Sequence, residues 1–201
     1  MAMTSLLSRR DLLKAGAAGA LSTVLLGSVK AAEPARGIVG QAAPELNIPY
    51  WVDGNGNKAA AFSVAANRGK WVFLKCFQHW CPGCHSSGFP SLQQLVAKFG
   101  EHPQVAIAAI QTTFEGFSTN NRAALVKNQQ RYNLAIPFGH DTGDESAPHG
   151  DSRRYPNTML SYRTGGTPWM VLINPEGRVV FNDFHINMQK LIALLEQQLI
   201  V

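Results

Sequence analysis

The stretch "VFLKCFQHWCPGCH", residues 72–85, joins an unbroken apolar run to two cysteines, spaced by two residues, and a histidine. Extended back as "GKWVFLKCF", the run is rich in β-branched and aromatic residues and is bounded by Gly69 and the cysteine pair, which reads as a central strand. Beyond it Leu92, Leu95, Val96 and Phe99 recur at helical spacing, so a helix is expected from about Cys81 to Phe99, ending at Gly100 and kinked at Pro90. As Cys-x-x-Cys, Cys81 and Cys84 suit a redox dithiol; with His85 added, the same residues fit covalent haem attachment.

The strand-to-helix junction decides the chemistry. A thiol in the first turn of a helix meets unpaired backbone N–H groups and the positive end of the helix dipole, which favour thiolate. A fall of about two pKa units stabilises the thiolate by roughly 2.7 kcal/mol, enough for reactivity near neutral pH. Cys81 is therefore the candidate nucleophile and Cys84 the resolving thiol, with Pro82 and Gly83 fitting the tight turn between them. The third cysteine, Cys76, lies inside the apolar run and is expected to be buried and unpaired.

The surrounding chain alternates strand and helix before closing on a hairpin and helix. "GIVGQAAPELNIPYWV" suggests an edge strand, and "DGNGN" turns it into a hairpin with the next short segment. "QVAIAAIQ", residues 104–111, is a second strand buried on both faces. Ser118 or Thr119 is placed to cap a helix reaching about Tyr132, and "AIPFGHD" gives a third strand. A polar stretch, "TGDESAPHGDSRRYPNT", precedes "TPWMVLI" and "RVVFNDF", which flank the turn "NPEG"; Met188, Leu191, Ile192, Leu195 and Leu199 mark a closing amphipathic helix. This order predicts an α/β domain over residues 38–201, a central mixed β-sheet flanked by helices with an N-terminal β-hairpin extension.

The first 31 residues have a different character. Arg9 and Arg10 stand ahead of Leu12, Leu13 and Lys14, and an apolar core of about 15 residues from Ala15 to Val29 leads to Ala31 and Ala32. The core is shorter than the roughly 20 residues of a membrane-spanning helix. "SRRDLLK" resembles the twin-arginine export signal, so residues 1–31 are expected to be a cleaved signal peptide, with no stable membrane insertion afterwards and a periplasmic or other extracytoplasmic location. Cleavage after Ala31 removes Arg9, Arg10, Lys14 and Lys30 against Asp11, lowering the formal net charge from +5 to +2. A nearly balanced chain without a Lys/Arg stripe offers no footprint for nucleic acid.

"VFLKCFQHWCPGC" is similar to the strand, Trp-Cys-x-x-Cys and helix of the thioredoxin superfamily, with Trp80 directly before the first cysteine. "GQAAPELNI", "RGK" and "YRTGGTPWMVLINPEGRVV" resemble segments of its TlpA/ResA-like extracytoplasmic branch. The resemblance spans about Gly40 to the C-terminus and implies a thioredoxin-like fold and an exported thiol-disulfide oxidoreductase that needs no cofactor. Its implied partners are protein thiols and disulfides, including a membrane thiol-disulfide relay. It implies a cis bond before Pro168 and a substrate-docking surface of Trp80, Thr167 and Pro168.

Three features depart from that pattern or extend it. Lys75 stands where thioredoxin carries a buried acidic proton acceptor; either its stem lies over the sheet with the amine in solvent, or it modulates a thiolate electrostatically. Pro82-Gly83 reverses thioredoxin's dipeptide. His85 either modulates the thiol pair or follows Cys84 on the helix surface, the buried strand and Trp80 arguing against haem. Two other chemistries stay open. A peroxiredoxin-like peroxidase shares the fold, although Leu74 and Gln78 replace the Pro and Thr of the P-x-x-x-T-x-x-C pattern. A metal carrier would draw on His79, Cys81, Cys84 and His85, too crowded for tetrahedral zinc, or on His140, Asp141, His149 and Asp151; no metal is expected.

Overall fold

The computed structural model describes residues 36–148 and 150–199, so the expected signal segment and His149 lie outside the described residues. Trp71–Phe77 forms β3, the strand expected from the apolar run. It is preceded by the hairpin β1 (Tyr50–Val52) and β2 (Lys58–Ala59), and followed by α1 (Phe89–Phe99) and β4 (Val105–Thr112). Then come α2 (Arg122–Arg131), β5 (Phe138–Asp141), a short α3 (Asn157–Ser161), β6 (Trp169–Ile173), β7 (Val179–Asp183) and α4 (Met188–Leu199). The fold is thioredoxin-like α/β, a seven-stranded mixed sheet in the order β2-β1-β5-β4-β3-β6-β7.

β3 is interior, parallel to β4 with Lys75 opposite Ala109, and antiparallel to β6 with Lys75 opposite Met170. Both faces of β3 are buried, which explains why it reads as a continuous apolar run rather than an alternating one. Phe73 and Phe77 face a core completed by Phe89, Leu92, Leu95 and Phe99 of α1, Leu125 of α2 and Leu191 and Leu195 of α4. Val72, Leu74 and Cys76 face the other core, with Ile38, Leu46, Ile48, Tyr162 and Trp169.

That second core corrects the reading of "GIVGQAAPELNIPYWV" as one edge strand. Only Tyr50–Val52 forms a strand, with β2 taking the sheet edge outside it, while Ala42 makes an isolated antiparallel bridge to Arg178 at the other edge. The residues before it lie across the sheet, burying Ile38, Leu46 and Ile48, and the Tyr162 hydroxyl donates to the Pro44 carbonyl at 2.6 Å. Apolar residues there serve the cover of a face, which a one-dimensional pattern does not separate from pairing.

The helix after the cysteines is also not one uniform helix. Cys84–Gly88 is a π-helical turn that runs into α1, and the Phe89 amide donates to the Cys84 carbonyl five residues back. Pro90 supplies the cause, since it has no N–H to donate to Ser86 and its ring crowds that carbonyl; a wider turn relieves both. The expected kink is thus a π-bulge beside the cysteine pair. α2 begins at Arg122 rather than after Ser118 or Thr119, because the Asn121 side chain accepts the Ala124 amide and caps it.

Candidate active site

Cys81 and Cys84 form a disulfide at the C-terminal end of β3, with Cα atoms 5.3 Å apart, and Cys76 is free and buried. The Cys84 amide donates to Cys81 Sγ at 3.1 Å, so a backbone N–H already points at the sulfur on which negative charge would sit after reduction. Both cysteines are buried, while the preceding Trp80 is 47% exposed. Burial pushes the Cys76 thiol up to about 12, with Asp141 adding to the rise and Lys75 opposing it, which leaves Cys76 inert beside the reactive pair.

The Thr167–Pro168 peptide is cis, as the resemblance implies. Pro168 packs over the cysteine turn: a Cβ added at Gly83 would come 3.2 Å from its Cδ, and one at Gly88 3.3 Å from its Cβ. Gly83 and Gly88 therefore give the proline room to seat. Trp80 approaches the loop after β4, where a Cβ at Gly116 would lie 3.1 Å from its Nε1. Trp80 and Pro168 thus belong to one neighbourhood around Cys81.

The turn before Cys81 is strapped by side chains that sequence reasoning did not single out. Asn120 Oδ1 accepts the His79 amide at 2.6 Å, and Asn128 Nδ2 lies 3.0 Å from His79 Nδ1. His85 Nε2 donates to the His79 carbonyl at 2.5 Å, and its Nδ1 meets the Tyr132 hydroxyl at 2.6 Å. His85 therefore does not simply follow Cys84 on the helix surface; it ties the residue before the motif to α2, with its ring beside Phe89 and Tyr132. Both ring nitrogens are engaged, which leaves no lone pair directed outward for a haem iron. No local sequence signal marks this network, because its partners lie far apart in the chain.

Lys75 settles between its two sequence readings in an unexpected way. Its amine does not reach solvent: the residue is fully buried on the α1 face of β3, and Nζ has no hydrogen-bond partner. Desolvation drives it down to about 7, with Cys76 opposing the fall.

The His140 and Asp141 pairing suggested for a metal site is divided by strand geometry. Adjacent residues of β5 point to opposite faces. His140 Nδ1 meets Gln111 Oε1 at 2.8 Å, while Asp141 accepts the Asn157 and Thr158 amides at 3.0 and 2.7 Å and so holds the start of α3. Burial pushes the Asp141 carboxyl up against those bonds, and pushes the His140 ring down to about 4. Among the described residues no three His, Cys, Asp or Glu side chains converge as metal ligands, and no helix is long and apolar enough to cross a membrane.

A family model described as AhpC/TSA matches residues 39–182, more than half of the chain. The chain belongs to the AhpC/TSA family. Two solved structures are 28% identical to this AhpC/TSA member. One, a thioredoxin-like superfamily protein, has a TM-score of 0.66 over 80% of this chain and 97% of its own. The other, a thiol-disulfide isomerase from Corynebacterium glutamicum, has a TM-score of 0.64 over 79% and 96%. A thiol-disulfide oxidoreductase from Bacteroides fragilis, 20% identical, shares the fold with a TM-score of 0.55 over 77% and 100%. A search of curated proteins finds no match. The family is one of thioredoxin-like oxidoreductases, and the AhpC/TSA member described here is a redox protein of that general kind.

Proposed function

We propose that this chain is an exported thiol-disulfide oxidoreductase of the TlpA/ResA-like kind, working on protein partners through Cys81 and Cys84. The observation that carries the reading is the Cys81–Cys84 disulfide at the end of an interior strand, with the exposed Trp80 and the cis Thr167–Pro168 bond beside it. In the disulfide form a partner thiolate attacks Cys81 Sγ, Cys84 leaves, and a second partner thiol releases the partner as a disulfide. In the dithiol form Cys81 attacks a partner disulfide and Cys84 resolves the mixed disulfide. Trp80, Thr167 and Pro168 form the docking surface, and the Cys84 amide stabilises the Cys81 thiolate. His85 acts by holding the His79–Trp80 turn in place. The N-terminal segment directs export, and a membrane thiol-disulfide relay sets the redox state of the pair.

The test replaces Cys84 with Ala and looks for a disulfide-linked complex with a partner, alongside reduction of a model disulfide by the unaltered protein. Trapped complexes and turnover are expected; the absence of both overturns the reading. A peroxidase reading draws support from the AhpC/TSA match itself. Against it, Leu74 is a buried β3 residue and Gln78 donates to the Thr112 carbonyl at 3.1 Å, so the peroxidase pattern's Pro and Thr have no counterpart here. Peroxide-dependent consumption of the thiols would transfer the assignment to that chemistry.

A further inference from the structure

A lysine amine with no partner is rarely left in a protein interior, because the ammonium form loses its hydration there. Lys75 is such a group, and its place is specific. Its Nζ and Cε lie so close beneath Gly88 that a Cβ at that position would clash with them, and the Phe89 ring centroid is 5.8 Å from Nζ. Gly88 closes the π-turn that Cys84 opens, and Pro168, which touches Gly83 inside the disulfide loop, also packs on Gly88. The amine is therefore sealed behind the cysteine turn, on the same face of the sheet.

Its neighbours supply no counter-charge in the disulfide state. Ala109 and Met170 flank it on the adjoining strands, and Gly88 and Phe89 cover it from the helix. Cys76 points to the opposite face and its thiol is held protonated. His85 is tied to the His79 carbonyl and Tyr132, and His140 on the same sheet face is held neutral by burial. Among the described residues the other titratable groups at this end are His79, whose ring meets Asn128, and Cys81 and Cys84, which carry no charge while bonded to each other.

We propose that Lys75 is the proton store of the dithiol, a neutral amine while the cysteines are bonded and an ammonium once they are reduced. The proposal rests on the oxidoreductase reading above. When a partner dithiol reduces the pair, the Cys81–Cys84 bond breaks, a partner disulfide forms and two electrons pass to the cysteines. Of the partner's two protons, one ends on Cys84 and one on Lys75, leaving Cys81 as thiolate. The interior gains an ammonium and a thiolate together, so its net charge does not change. Oxidation runs the same transfer backwards. The fall of the Lys75 amine to about 7 in the disulfide state agrees with a group ready to take up a proton near neutrality. Lys75 acts here as a positioning residue for the thiolate, since it lies beneath the π-turn that Cys84 opens and does not act as a nucleophile.

The test equilibrates the protein with thiol buffers of known pH dependence and counts the protons taken up on reduction. Thiols alone can only lower that count as pH rises. The store predicts the opposite, a rise from about one proton to about two as pH passes about 7, an extra tenfold in the equilibrium constant per pH unit. Lys75→Met is expected to abolish the rise and to leave roughly tenfold less Cys81 thiolate at a given pH, read by ultraviolet absorbance. A count that does not rise in the unaltered protein, or rises equally in Lys75→Met, overturns the proposal. Failure of the pair to exchange with the buffer at all would instead overturn the oxidoreductase reading. Nitrogen NMR of Lys75 Nζ gives the same answer without a substitution: a neutral amine that becomes an ammonium on reduction supports the store, and an ammonium in both states refutes it.

Discussion

Two regions of the protein hold their polar groups in opposite ways. Around the cysteine turn Lys75 Nζ, Gln78 Oε1 and Gln111 Nε2 have no partner. Between Asp141 and Thr158, a segment much richer in charge, each described charged side chain is engaged. Asp141 holds the Asn157 and Thr158 amides, Asp144 accepts from Ser146, Glu145 pairs with Arg122, Asp151 with Arg153, and Arg154 donates to two backbone carbonyls. The loop that looks chemically active in sequence thus has its charges engaged within the fold. The apolar strand carries the group whose ionisation is unmet. Unpartnered interior atoms also occur in the second region, at Arg154 Nε and Thr158 Oγ1, but there the guanidinium still donates to two carbonyls, whereas the Lys75 amine has no hydrogen-bond partner at all.

The sharpest way to break this contrast is to remove the unpaired amine. A lysine held at about 7, against 10.5 for the free side chain, penalises the folded state as pH falls from 10.5 to about 7, and the penalty is complete below that. Lys75→Met should therefore stabilise the disulfide form on the order of 5 kcal/mol at about pH 6, with the gain vanishing above the free lysine pKa. Denaturant unfolding at several pH values reads this, and a destabilised variant at acid pH would show that the amine is satisfied after all.

The opposite sign is expected in the paired region. Asp141→Ala orphans the Asn157 and Thr158 amides in a buried site, and unfolding should report a loss of about 3 kcal/mol with the redox equilibrium unchanged. His140 lies on the cysteine side of the contrast, beside Gln111. Its ring, held at about 4 against 6.5, contributes stability above the free-histidine pKa that is lost as pH falls through about 4, so His140→Gln should flatten the acid limb by roughly 2 kcal/mol. The smallest effect is expected for Arg153→Ala, an exposed pair with Asp151, which should leave the melting temperature unmoved within error. A large loss there would mean that the loop's ion pairs, not Asp141, hold it.

Most of the architecture was legible because its signals are local. An unbroken apolar run specifies an interior strand, the spacing of Leu92, Leu95 and Phe99 specifies α1, and "NPEG" between two apolar runs specifies the β6–β7 hairpin. The segment from Gly37 to Ile48 was misread as strand because burial under a sheet and pairing within one need the same apolar residues. The strap of Asn120, Asn128 and Tyr132 was not legible, since its partners are 41, 49 and 47 residues from the ones they bind.

By itself the sequence determined the dithiol and the helix start that activates it, because Cys81, Pro82, Gly83 and Cys84 are neighbours whose spacing is their chemistry. It also carried the π-bulge in Pro90, whose missing N–H acts within one turn. Tertiary structure alone decided the state of Lys75 and His85. Whether a lysine stem ends in solvent or beneath Gly88 depends on what packs over it, and whether a histidine is free or strapped depends on where α2 docks. Ionisation in an interior follows desolvation and partners, and both are supplied by residues far away in the chain.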